Sequence, residues 1–164
     1  MAAVWAWNVI WCAIMISLLY KFVDWRDIRK FWVGFLAMQT ITWSVGLTLV
    51  NSHLVEYPVR LFPGATHQNF VTGYFIYPSL SVLFNQYFPR IGRVKQFFYA
   101  FAYAGTAAFW DYIMSTYTNI ENHLNWNPVK QFLILFIGLL ACRWFVAWMF
   151  KQHFPDRGLD DAGY

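Results

Sequence analysis

The sequence predicts an all-α integral membrane protein: a bundle of five transmembrane helices with the N-terminus outside and the C-terminus cytoplasmic. Three observations carry this. First, of 164 residues 59% are hydrophobic and only 12% are charged, about half the charged share of a typical soluble domain. A soluble domain of this size leaves ~30% of its unfolded surface in water, and eight acids and twelve bases cannot wet that much. Disorder is excluded by the same composition, since its signature is low hydrophobicity. Second, uncharged runs recur at the ~20-residue length a bilayer-spanning helix needs. Third, loops rich in Lys and Arg alternate with loops poor in them, which is the pattern that sets orientation.

The first run, residues 2–20, carries no charge. No basic region precedes it and it is of spanning length, so it reads as a retained helix rather than a cleaved signal peptide. Lys21, Asp24, Arg26, Asp27, Arg29 and Lys30 follow as a charged loop. The second span covers residues 31–55 and ends at Glu56-Tyr57-Pro58-Val59-Arg60. Pro63, Gly64, Thr66, His67, Gln68 and Asn69 read as loop, leaving residues 70–88 as the third span. Arg90, Arg93 and Lys95 mark the next loop, residues 97–117 the fourth span, 118–130 a polar loop, and 131–150 the fifth span. Residues 1–150 thus form the transmembrane domain and 151–164 a polar cytoplasmic tail. Barrel strands are ~10 residues long with alternating polarity; these runs are continuous and about twice that length, and a helix satisfies its own backbone groups in lipid.

The loop after the first span holds four bases and the loop after the third holds three, whereas the loops after the second and fourth hold Arg60 and Lys130 alone. Lys151 and Arg157 add to the tail. The net charge of +4 is therefore mostly an orientation signal and calls for no nucleic-acid partner. The expected partners are membrane lipids, with a second copy of the chain or another membrane protein as candidates. Tryptophans such as Trp5, Trp7, Trp25 and Trp32 sit where interfacial belts are expected. Cys12 and Cys142 lie inside apolar runs, where a cysteine acts as a small hydrophobe.

An ionisable side chain inside a span is costly and marks a functional hypothesis. Two stand out. Asp111 lies fourteen positions after residue 97, ~21 Å from the inner end of the fourth span, and Arg143 lies ~18 Å from the outer end of the fifth. If the two spans end flush, the charges differ in depth by roughly 8 Å, a gap that a long Arg side chain could nearly close, either as a structural ion pair that fixes how the two helices pack or as part of a polar site or ion path. Glu56 and Arg60 flank Pro58, which pushes Tyr57 out of the α region and suggests a helix end and turn across which the two could meet. Glu56, Tyr57, Arg60, Asp111 and Arg143 are the candidate polar site, one network if their depths coincide. In the third span Pro78 predicts a kink, because it leaves a backbone carbonyl for neighbouring groups to satisfy, and Asn85 is a further polar-site candidate. No catalytic residues are expected: the pattern lacks a Ser/His/acid grouping, HExxH, CxxC or a phosphate-binding glycine loop. The histidines show no metal-ligand spacing, so neither a metal nor a cofactor is expected.

The string Leu54-Val55-Glu56-Tyr57-Pro58-Val59-Arg60 resembles the signature of an uncharacterised family of small multi-pass membrane proteins common in endospore-forming bacteria. Tyr77-Pro78 with Leu83-Phe84-Asn85, Tyr117-Thr118 followed by Asn125-Trp126, and Arg143-Trp144-Phe145 are similar to further stretches of that family, and together they cover about two thirds of the chain. The family often carries acids around the position of Asp111, and Arg143 fits its pattern; Asn119 stands where an acid is more usual. The resemblance implies a multi-pass protein of the bacterial cytoplasmic membrane. It implies no activity. From the residues, the leading function is a conduit for an ion or small solute built on the buried polar site. A non-catalytic accessory subunit binding other membrane proteins is the alternative, and a lipid-modifying enzyme is less favoured.

Overall fold

The computed structural model describes residues 2–58, 61–62, 64–118 and 120–150, with side chains from Trp5 onward. Arg60, Asn119 and the tail from residue 151, all of which figure in the sequence reading, lie outside the described residues. Among the described residues the regular structure is helical apart from one short strand pair. The helices are α1 (Ala2–Phe22), α2 (Ile28–Asn51), α3 (Tyr77–Gln86), α4 (Arg93–Tyr117) and α5 (Pro128–Met149), one for each expected apolar run. Trp5–Phe22, Trp25–Asn51 and Pro128–Met149 are long and apolar enough to cross a membrane. Local chemistry sets the boundaries. Asn127 caps α5 by accepting a hydrogen bond from the Lys130 backbone N–H at 2.9 Å, and Pro128 takes the first helical position, where a missing N–H costs nothing.

α2 packs against α3 and α5, and α4 packs against α5. Lipid tails are as apolar as leucine, so this association depends on close backbone approach rather than on a hydrophobic drive. The sequence supplies small residues at the seams. Ala100, Ala104 and Ala108 form a buried stripe on α4, in one cluster with Leu135 and Leu139 of α5. A Cβ at Gly138 would meet Ile41 Cγ2 at 3.5 Å and Met38 Cε at 3.7 Å, so α5 lies tight on α2. α1 is apolar all round, exposes Val9, Ile16 and Tyr20, and joins the bundle through Leu19, which packs with Val23, Phe35 and Val82.

Before α3 the backbone makes a π-turn over Thr72–Ile76, the kind of i→i+5 bulge that marks irregular points in helices. Pro78 has no N–H for the carbonyl of Tyr74, and the side chain of Gln39 donates to that carbonyl at 3.1 Å. Thr42 likewise donates to the Gly73 carbonyl at 2.7 Å. These α2 side chains thus satisfy the backbone that the proline and the bulge leave open.

Val55 and Glu56 differ from the expected helix end and turn. Val55–Glu56 form a strand, β1, paired antiparallel with Asn122–His123, β2, in the register Val55↔His123 and Glu56↔Asn122. The β1–β2 pair closes one end of the bundle. The connections between α1 and α2 and between α3 and α4, with their lysines and arginines, lie at the other.

Candidate functional site

Beneath the β1–β2 pair three side chains converge. Asp111, from the last turns of α4, is buried, as is Glu121 just before β2. His123 Nε2 lies 3.1 Å from Glu121 Oε1 and 3.9 Å from Asp111 Oδ2. Asp111 is held from its other oxygen by a relay. The Tyr77 hydroxyl donates to Asp111 Oδ1 at 2.7 Å, Gln131 Nε2 donates to the Tyr77 hydroxyl at 3.2 Å, and Trp126 Nε1 donates to Gln131 Oε1 at 2.8 Å. Residues from α3, α5 and the α4–α5 connection therefore fix the one carboxylate that α4 supplies. Tyr57 is buried beside Glu121, and burial together with the neighbouring Glu121 and Asp111 carboxylates pushes its hydroxyl well above the ordinary tyrosine range. The hydrogen bond to Glu121 raises the His123 pKa, against the opposing effect of burial.

Of the expected network of Glu56, Arg60, Asp111 and Arg143, the three described members do not come together. Glu56 is exposed while its neighbours Val55 and Tyr57 are buried, because strand residues alternate sides. Arg60 lies outside the described residues. Arg143 does not pair with Asp111. It sits at the opposite end, its guanidinium 4.9 Å from the centre of the Phe88 ring, where it lines the same cavity as Arg90. The contacts of Phe97 with Phe136 and of Phe101 with Phe132 set the α4–α5 register, which separates Asp111 from Arg143 by roughly 20–30 Å along the axis. Flush helix ends do not hold: α5 is slid toward the basic end by roughly two to three turns.

Two cavities open at the two ends. One, of about 410 Å³, runs between α1, α3 and α4, with Asn8, Trp11 and Met15 on one wall and Tyr77, Asp111 and Glu121 on the other. The second, of about 440 Å³, is lined by Asp24, Lys30, Asn85, Gln86, Arg90 and Arg143. Between them runs a polar stripe on α3. Tyr77, Ser81 and Asn85 are spaced four apart, so they share one helix face. Tyr77 lines the first cavity and Asn85 the second. Ser81, fully buried, lies between them with its Oγ 3.2 Å from Cys142 Sγ. Asn85 Nδ2 donates to the Ser81 carbonyl at 2.8 Å.

Sequence reading singled out Asp111, Tyr57 and Asn85; it left Glu121 in a polar loop and set His123 aside with the other outer histidines, for want of metal-ligand spacing. One signal was available. Two residues apart in an extended segment point to the same side, so an acid and a histidine at that spacing present a common face. The chain matches no family model, no curated protein and no solved structure.

Proposed function

We propose that this is a five-span protein of the bacterial cytoplasmic membrane that forms a gated conduit for an ion or small solute. The observation that carries the reading is the α3 stripe of Tyr77, Ser81 and Asn85, which links a buried acidic cluster at one end of the bundle to a charged cavity at the other. Polar groups inside a membrane domain are expensive and mark solute or proton paths. The waist at Ser81 and Cys142 is fully buried, so passage requires opening there. The orientation, β1–β2 pair outside and α3–α4 connection cytoplasmic, is supported by the basic residues gathered at the latter end. The Leu54–Arg60 resemblance supports the membrane assigned.

The test is flux through the full-length protein in liposomes loaded with pH-sensitive and divalent-cation-sensitive dyes. Wild type is expected to exceed empty liposomes, and Ser81→Leu, which fills the stripe with an apolar side chain, is expected to return flux to that baseline. Wild-type flux equal to that of empty liposomes removes the conduit reading.

A further inference from the structure

We propose that Asp111, Glu121 and His123 form a binding site for a divalent transition-metal cation of the zinc type. This names a ligand for one end of the proposed conduit, but it stands on the cluster's own geometry. One ligating atom from each residue lies within 4.8 Å of the other two. Ligands ~2.1 Å from a common zinc ion lie ~3.4 Å apart in a tetrahedral site, and the distances from His123 Nε2, 3.1 and 3.9 Å, already bracket that value. The third edge, between the Asp111 and Glu121 oxygens, is no longer than 4.8 Å, so the ligands draw in by up to about 1 Å to take the ion.

A second observation points the same way. The Asp111 side chain is 8% exposed, and its Oδ2, the oxygen facing His123, has no hydrogen-bond partner among the described residues. A buried carboxylate oxygen without a donor is expensive. Asp111 Oδ1 is by contrast engaged by Tyr77, itself braced by Gln131 and Trp126. That division of labour is the one metal sites use: an outer hydrogen-bonded shell orients the ligand and leaves one atom for the ion.

The donor set selects the ion. One imidazole and two carboxylates suit zinc and its transition-metal neighbours. Calcium prefers six to eight oxygens, and magnesium a near-ideal octahedron rich in water. Three protein ligands leave a fourth position open, as in zinc sites that accept water or a further ligand. Asp111 and Glu121 both line the 410 Å³ cavity, which provides the approach.

The full chain, purified in detergent and stripped with chelator, is titrated with Zn²⁺ by calorimetry and with Co²⁺ by visible absorption. We expect one saturable equivalent, displacement of Co²⁺ by Zn²⁺, and no saturable binding of Mg²⁺. His123→Ala and Glu121→Gln should each weaken Zn²⁺ binding at least 30-fold, and Asp111→Asn, where it folds, should do the same. The nearby exposed Glu56→Gln should bind as wild type. Absence of saturable binding in the wild type overturns the proposal. So does wild-type affinity in both His123→Ala and Glu121→Gln, which would place the ion on other histidines. Binding without flux leaves this site standing and removes the conduit; flux without binding does the reverse.

Discussion

The hydroxyl of Tyr77 on α3 donates to Asp111 Oδ1 on α4 at 2.7 Å, across 34 positions of chain. This bond ties α3 to α4 at the end of the bundle where the β1–β2 pair sits, and it orients the carboxylate that Glu121 and His123 approach. Tyr77→Phe keeps the ring and removes only the oxygen. It leaves Asp111 Oδ1 without its donor and Gln131 Nε2 without its acceptor, both buried. The expected loss is about 1–3 kcal/mol, read as a lowered unfolding temperature in detergent. Tyr112→Phe on the exposed face of α4 should stay within about 0.5 kcal/mol of wild type. Equal effects at the two positions would show that the Tyr77 hydroxyl carries no stability.

Gln39 and Pro78 form a matched pair, since the side chain of one satisfies the carbonyl that the ring of the other leaves open. Gln39→Leu should cost about 1–3 kcal/mol, because the Tyr74 carbonyl then has no donor from α2. Pro78→Ala restores a backbone N–H four residues after Tyr74. In that background Gln39→Leu should cost markedly less, a coupling of about 0.5–3 kcal/mol in a double-mutant cycle. Additive losses would mean that Gln39 acts through packing alone.

The helical segments were legible before the fold was, because the apolar runs and their breaks follow from the length a membrane imposes. The same holds for the need to satisfy the backbone before Pro78, which is a property of proline. Glu121 and His123 were not legible in the same way. Their grouping with Asp111 depends on a strand of two residues, too short to show any periodicity, and on long-range pairing between β1 and β2. The depth of Arg143 relative to Asp111 was misjudged because apolar runs fix where a helix can lie but not how far it slides along its neighbour. That slide is set by which side chains interdigitate, here the phenylalanines of α4 and α5.

Gly138 lies where α5 packs against Ile41 and Met38 of α2. A Cβ there would sit in ordinary van der Waals contact with Ile41 and Met38, so Gly138→Ala should be tolerated. The two extra methyls of Gly138→Val have no such room and would force the helices apart, at a cost of about 1–3 kcal/mol. Unfolding in detergent should rank wild type and Gly138→Ala together, with Gly138→Val clearly below. Equal stability for all three would show that the α2–α5 seam is looser than the distances imply.

The separation of Asp111 from Arg143 and its closeness to Glu121 make opposite claims about energetic coupling. Two buried carboxylates that share a histidine repel one another, so neutralising either changes the environment of the other. Asp111→Asn and Glu121→Gln should therefore be non-additive in unfolding free energy, with an interaction of about 0.5–3 kcal/mol, while Asp111→Asn and Arg143→Gln should add within about 0.5 kcal/mol. Glu56→Gln, on the exposed side of β1, should also be additive with Asp111→Asn. All cycles are to be run on chelator-treated protein, so that the coupling reflects the side chains alone. A strong interaction between the Asp111 and Arg143 variants, or none between those at Asp111 and Glu121, would contradict the arrangement in which Asp111 belongs to the cluster beneath the strand pair and Arg143 to the charged cavity at the far end.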